Sequence, residues 1–253
     1  MICPKCHVEQ ADENLECVRC GVIFAKLRAA MERGAATGAG ATGLRAASTP
    51  RSEVWEWVKE MALHVEPDVN PFYFAGRALV FAGLAVWSWK FILTPMETNY
   101  VGESFMHNIN LPFHEAGHLI FAVFGRFLQV LGGTLGQLLM PLICAGTFLL
   151  KNRDPFGASV GLWWTAESFM DIAPYINDAR ALDLVLLGGV TGKEVEDYHD
   201  WENILRTLGW LQYDHAIARA SYNLGILLMI LALIWGGTHL YRQWQRLNRS
   251  GHP

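Results

Sequence analysis

Several apolar runs in this chain are long enough to cross a bilayer, and that limits the folds open to it. A backbone in hydrocarbon finds no water, so a spanning segment must satisfy its own N–H and C=O groups, which a helix does. Phe72 to Leu93 is the first such run, with Arg77 and Lys90 near its ends, where long side chains snorkel, and Trp87 and Trp89 at its far boundary. Further runs start near Leu111 and cover Phe127 to Leu150, Phe156 to Ala173 and Leu224 to Tyr241. Composition agrees: 52% of residues are hydrophobic and only 17% charged, against about a quarter in a soluble domain. The expected fold class is therefore an all-α polytopic membrane protein of about four to six membrane segments, with a small N-terminal zinc-ribbon module.

That module is read from cysteines. Cys3 and Cys6 form one C-x-x-C knuckle, and after a ten-residue spacer Cys17 and Cys20 form another. Two such knuckles complete a closed tetrahedral zinc site, which has no open position for chemistry and is expected to be structural. The N-terminus opens on cysteines and charges rather than an apolar leader, so it is expected in the cytoplasm of a chain integral to the inner cell membrane. Net charge is −4, which by itself suggests no nucleic-acid surface, and the small basic excess near the ribbon favours a cytoplasmic protein over DNA as its partner. The remaining cysteine, Cys144, reads as a small buried hydrophobe.

In order, the chain divides into a ribbon over 1–28, a flexible Gly/Ala-rich linker over 29–50, and an amphipathic helix over 51–70 whose Trp55 and Trp57 suit the lipid headgroup region. A membrane-embedded domain over 71–245 and a basic tail over 246–253 follow. Pro112 suits a first helical turn, and Pro174 predicts a break near Ala173 with a new helix from Asp178 to Leu187. Five simple spans would leave Arg242, Arg246 and Arg249 outside, against the positive-inside tendency. The glycine-interrupted 127–150 region is thus a re-entrant candidate, or 180–190 an extra crossing.

Inside the run from Leu111 lies His114-Glu115-Ala116-Gly117-His118. Imidazoles four residues apart share a helix face, and Glu115 beside the first can reach a water on the same metal, which is the arrangement of a hydrolytic zinc site. A catalytic zinc takes three protein ligands and keeps one position open. Residue chemistry leaves Glu167, Asp171, Asp178 and His199 as candidates for the third, with Glu167 equally suited to hydrogen-bonding a ligating histidine.

The segment Leu111 to His118 resembles the first motif of the site-2 protease family of intramembrane zinc metalloproteases. That family pairs it with a later Asn-x-x-Pro…Asp-Gly motif whose Asp is the third ligand. Asp171-Ile172-Ala173-Pro174…Asp178-Ala179 resembles this second motif, with Asp171 in place of Asn, Ala179 in place of Gly and a spacing one residue shorter. The resemblance covers about 105–190 and implies Asp178 as third ligand and Glu115 as general base, while residue chemistry keeps His199 and Asp171 as alternatives for the ligand. It also implies a catalytic zinc, which with the structural zinc of the cysteine knuckles makes two ions, and a membrane protein in the bilayer as substrate. The Asp-Ala-Arg and His-Asp-Trp strings mark a divergent branch. Two other functions fit the residues: a non-catalytic membrane adaptor docked through its ribbon, and a membrane enzyme of another reaction type using zinc or iron.

Overall fold

The computed structural model describes residues 1–4, 8–12, 14–26 and 50–250; Cys6, His7, the linker over 29–49 and the end of the tail, 251–253, lie outside them. The chain forms two compact units, Met1–Glu53 and Val54–Pro253.

In the first unit, two isolated antiparallel bridges, Ile2 with Glu9 and Glu16 with Ile23, build two similar knuckles. Cys3 N donates to Val8 O and Cys17 N to Val22 O, each at 2.9 Å, so the same backbone bond closes both. Gly21, at φ 67°, closes the second knuckle in the left-handed conformation that glycine adopts without strain. Cys3, Cys17 and Phe24 form the small core. Cys3 Sγ and Cys20 Sγ stand 3.8 Å apart. Two sulfurs bound at about 2.3 Å to one tetrahedral ion are separated by about 3.8 Å, so these thiols fit a shared metal.

The second unit is helical. It comprises α1 (Pro50–Ala62) from Val54 onward, α2 (Pro71–Leu93), α3 (Phe105–Phe121), α4 (Arg126–Gly146, followed by a π-helical turn over Thr147–Lys151), α5 (Pro155–Asn177), α6 (Asp200–Leu208) and α7 (Asp214–Ser250). Among the described residues three helical segments are long and apolar enough to cross a membrane: Pro71–Leu93, Arg126–Lys151 and Leu211–Arg249. That is fewer than the four to six segments expected from sequence. The difference lies in α3 and α5. The first has 17 residues and ends soon after His118. The second is the hub of the unit, with 17 of its 23 residues buried. A helix wrapped by protein need not be apolar enough for lipid, so α5 carries Glu167 and Asp171.

Three expectations about helix ends change as well. α3 begins at Phe105, so Pro112 is interior rather than in the first turn. α5 runs through Pro174 to Asn177, and no helix forms over 178–199. A proline inside a buried helix costs one backbone hydrogen bond, a loss that packing on all sides outweighs here. α4 is a plain continuous helix, not a re-entrant pair, and tolerates Pro141 in the same way.

Packing accounts for the arrangement. Asn70 caps α2 by accepting from Phe72 N at 2.9 Å, with Pro71 in the first turn. Trp87, Phe91, Tyr100 and Trp163 form an aromatic cluster between α2, α5 and the loop before α3. Arg77 and Lys90 do not simply reach for an interface: Arg77 pairs with Asp154 at 3.2 Å, and the Lys90 ammonium lies over the Tyr100 ring. The end of α1 is fastened to α7, whose Trp235, Arg242 and Arg246 donate to the carbonyls of Ala62, Leu63 and Glu66. Trp55 and Trp57 remain exposed on α1.

α5 and α7 approach closely where Gly225 meets the α5 backbone. A Cβ there would lie 2.7 Å from Ala166 O and 2.5 Å from Met170 Cγ. Gly225→Val should therefore destabilise the unit by about 1–3 kcal/mol and lower its thermal midpoint in detergent. Gly76→Val, at a helix position with nothing within 4 Å, should leave the midpoint unchanged.

Candidate metal centre

His107, Asn110, His114 and His118 recur at three- and four-residue steps, so helical periodicity lines them along one face of α3. That face meets α4 through glycine. A Cβ on Gly117 would collide with Gly132 O, and one on Gly136 with Phe113 O, so the two backbones touch with no side chain between them. Gly133 does the same for the imidazoles: a Cβ there would stand 2.5 Å from His114 Nε2 and 2.6 Å from His118 Nε2.

Both rings are oriented from behind. His118 Nδ1 donates to Gln129 O at 2.8 Å, and His114 Nδ1 lies 3.3 Å from Gln137 Oε1. With the Nδ1 protons so engaged, the Nε2 lone pairs turn inward. They converge on a carboxylate: Asp200 Oδ2 is 3.0 Å from His114 Nε2 and 3.2 Å from His118 Nε2. Ligands held at about 2.0–2.1 Å on one tetrahedral ion stand about 3.3 Å apart, so this donor set fits a metal such as zinc. His114, Glu115 and His118 each bring a ligand atom within 4.8 Å of the others. Glu115 is exposed to the cavity in front of them.

Asp200 was not among the carboxylates singled out from sequence, and Asp178 does not occupy the third position. Asp178 caps the loop after α5 instead, its two oxygens accepting from Asp183 N at 2.9 Å and Leu184 N at 3.0 Å. Burial pushes its carboxyl up, but His199 and these two amides outweigh that and hold it below the usual carboxylate range. His199, fully buried, is not a ligand either. Its Nδ1 accepts from Glu202 N at 3.1 Å, capping α6, which leaves the ring proton on Nε2, 3.5 Å from Asp178 Oδ2. Asp178 thus steadies His199, and His199 sets the first turn of the helix that begins with Asp200.

Asp171 acts at one remove. It accepts from Gln137 Nε2 at 2.8 Å, Asn110 Nδ2 at 3.0 Å and His107 Nδ1 at 3.0 Å. A carboxylate reached through Gln137 thereby backs His114, as outer carboxylates back metal-bound histidines. Glu167, expected near a histidine, lies one step further away and accepts from Asn110 at 2.9 Å.

A cavity of ≈ 360 Å3 opens in front of these groups, lined also by Tyr175, Arg126 and the apolar stretch Leu184–Leu187. Tyr175, Gln129 and Gln137 escaped the sequence reading, because only packing brings them to the pair. Asp200 did leave a signal, a charged His-Asp-Trp string within an apolar chain, yet spacing cannot say which of its residues reaches α3.

No family model, curated protein or solved structure matches this chain, so the reading of the site rests on its own geometry.

Two substitutions separate the carboxylates. Asp200→Ala should lower the metal bound per chain by one ion. Asp178→Ala should keep the metal but lose about 1 kcal/mol of stability as two backbone amides of the loop lose their acceptor. Metal analysis and thermal melts in detergent check both.

Proposed function

We propose that this chain is a membrane-embedded zinc metalloendopeptidase that hydrolyses peptide bonds of membrane proteins. The observation that carries the reading is the convergence of His114 Nε2, His118 Nε2 and Asp200 Oδ2 beside a free Glu115. A zinc ion held by those three side chains supplies a Lewis acid that lowers the pKa of water and polarises a carbonyl. The protein's own work is positional and acid–base. Gln129 O and Gln137 fix the rings, and Asp171 holds Gln137. Glu115 accepts a proton from the attacking water as the water oxygen bonds to the carbonyl carbon and the π pair moves onto the carbonyl oxygen. When the C–N bond breaks, Glu115 returns that proton to the leaving nitrogen.

The surroundings suit such a substrate. Leu184–Leu187 give the cavity an apolar wall, with Val185 and Leu187 exposed to receive apolar side chains. The substrate segment must give up helical hydrogen bonds to expose a carbonyl, so Gly- or polar-weakened spans are the expected targets. Intact Glu115 favours an enzyme over an adaptor, since metal binding alone does not require it. In the same reading Cys3, Cys6, Cys17 and Cys20 hold a second, structural zinc, and the knuckle unit docks a cytoplasmic protein at the inner cell membrane.

Purified protein should hold two zinc ions per chain, and His114→Ala one. Glu115→Gln should keep both and abolish cleavage of co-expressed membrane proteins, which then accumulate. A zinc content unchanged by His114→Ala, or cleavage that survives Glu115→Gln, overturns the reading.

A further inference from the structure

We propose that Tyr175 is a catalytic residue of this site, its hydroxyl donating a hydrogen bond to the scissile carbonyl oxygen as that oxygen gains negative charge. This inference rests on the endopeptidase reading and names the group that stabilises its transition state.

Tyr175 sits in the last turn of α5, in the wall of the cavity that also holds His114, Glu115 and His118. Its ring is fixed between two others, with centroids 4.2 Å from His199 and 6.5 Å from His114. Its oxygen accepts from Asp200 N at 2.8 Å. The carboxylate of that same Asp200 touches both imidazoles, so the hydroxyl stands within one residue's breadth of the converging Nε2 atoms. A phenol oxygen that accepts one N–H still has its own proton to give. Among the described residues no carbonyl or carboxylate takes that proton, and Tyr175 lines the cavity.

Several other polar groups in the wall are placed for different work. Glu115 is the base. His107 is tied to Asp171, and its seven residues' separation from His114 puts it about 10 Å away along α3. Gln137 is spent on the His114 ring and Asp171, and Gln129 holds the His118 ring through its backbone carbonyl. A neutral donor held in place by packing before the reaction begins is what a developing oxyanion requires, because it costs no reorganisation at the moment of reaction. The step balances without moving the tyrosine proton. The water oxygen bonds to carbon, the π pair goes to the oxygen facing Tyr175, the water proton goes to Glu115, and Tyr175 keeps its own.

Tyr175→Phe, which preserves the ring and removes the hydroxyl, tests this in the full-length protein in detergent. Zinc per chain should stay at the wild-type value. The kcat for a fluorescein-labelled, glycine-containing membrane-span peptide should fall by about 10²-fold with KM little changed. Affinity for an N-phosphoryl-leucyl peptide, whose tetrahedral oxygens mimic the charged carbonyl, should fall at least about tenfold, while acetohydroxamate, a planar metal chelator, should bind as before. An unchanged phosphoryl-peptide affinity overturns the proposal. So does parallel loss of zinc and of both inhibitors, which would make Tyr175 only a positioning residue for Asp200. If wild-type protein with its full zinc cleaves nothing, the endopeptidase reading fails, and the comparison of the two inhibitors still decides whether Tyr175 faces a tetrahedral oxyanion.

Discussion

Gly117 and Gly132 bring the backbones of α3 and α4 into direct contact, and the geometry of the imidazole pair follows from that contact. Closely approaching backbones gain dispersion contact along their length, and that contact becomes a main source of association where side chains are absent between them. Here the approach also has a chemical result. It carries Gln129 O, Gly133 and Gln137 on α4 up to His118 and His114, fixing which nitrogen of each ring points inward. A shift of α4 by one residue would rotate it by about 100° and present different side chains to both rings.

The third side of the site is made differently, by charge in an irregular segment. The loop over 178–199 has no helix of its own, and its path is held by individual polar contacts. Asp178 takes two of its amides, Tyr198 donates to Leu187 O at 2.7 Å, and Arg180 grips buried Asp214 through two contacts of 2.7 Å, tying the end of α5 to the start of α7. Through His199 this scaffold delivers Asp200 to α3. The carboxylates that stand out in the sequence, Glu167, Asp171 and Asp178, thus have supporting places, in the network behind His114 or under the loop that bears Asp200.

The helical class, the knuckle pattern of Cys3, Cys17 and Cys20, and the shared face of His114 and His118 were legible because each depends on local spacing. The number of membrane-length helices was less legible. Hydropathy reports how apolar a run is, not whether protein or lipid surrounds it, and α5 is surrounded by protein. Pro174 was misleading for the same reason, since its effect on a helix depends on what packs around the break.

What the sequence by itself determined is the inward pair: a four-residue spacing on a 3.6-residue helix puts His114 and His118 together whatever else the chain does. What only the tertiary structure decided is the group that meets them. Asp178 and Asp200 belong to the same polar stretch, and no periodicity relates either to α3. The difference arises from where a loop without repeating geometry is pinned, by Asp178 to its own amides and by Arg180 to Asp214, and that pinning turns Asp200 towards the imidazoles.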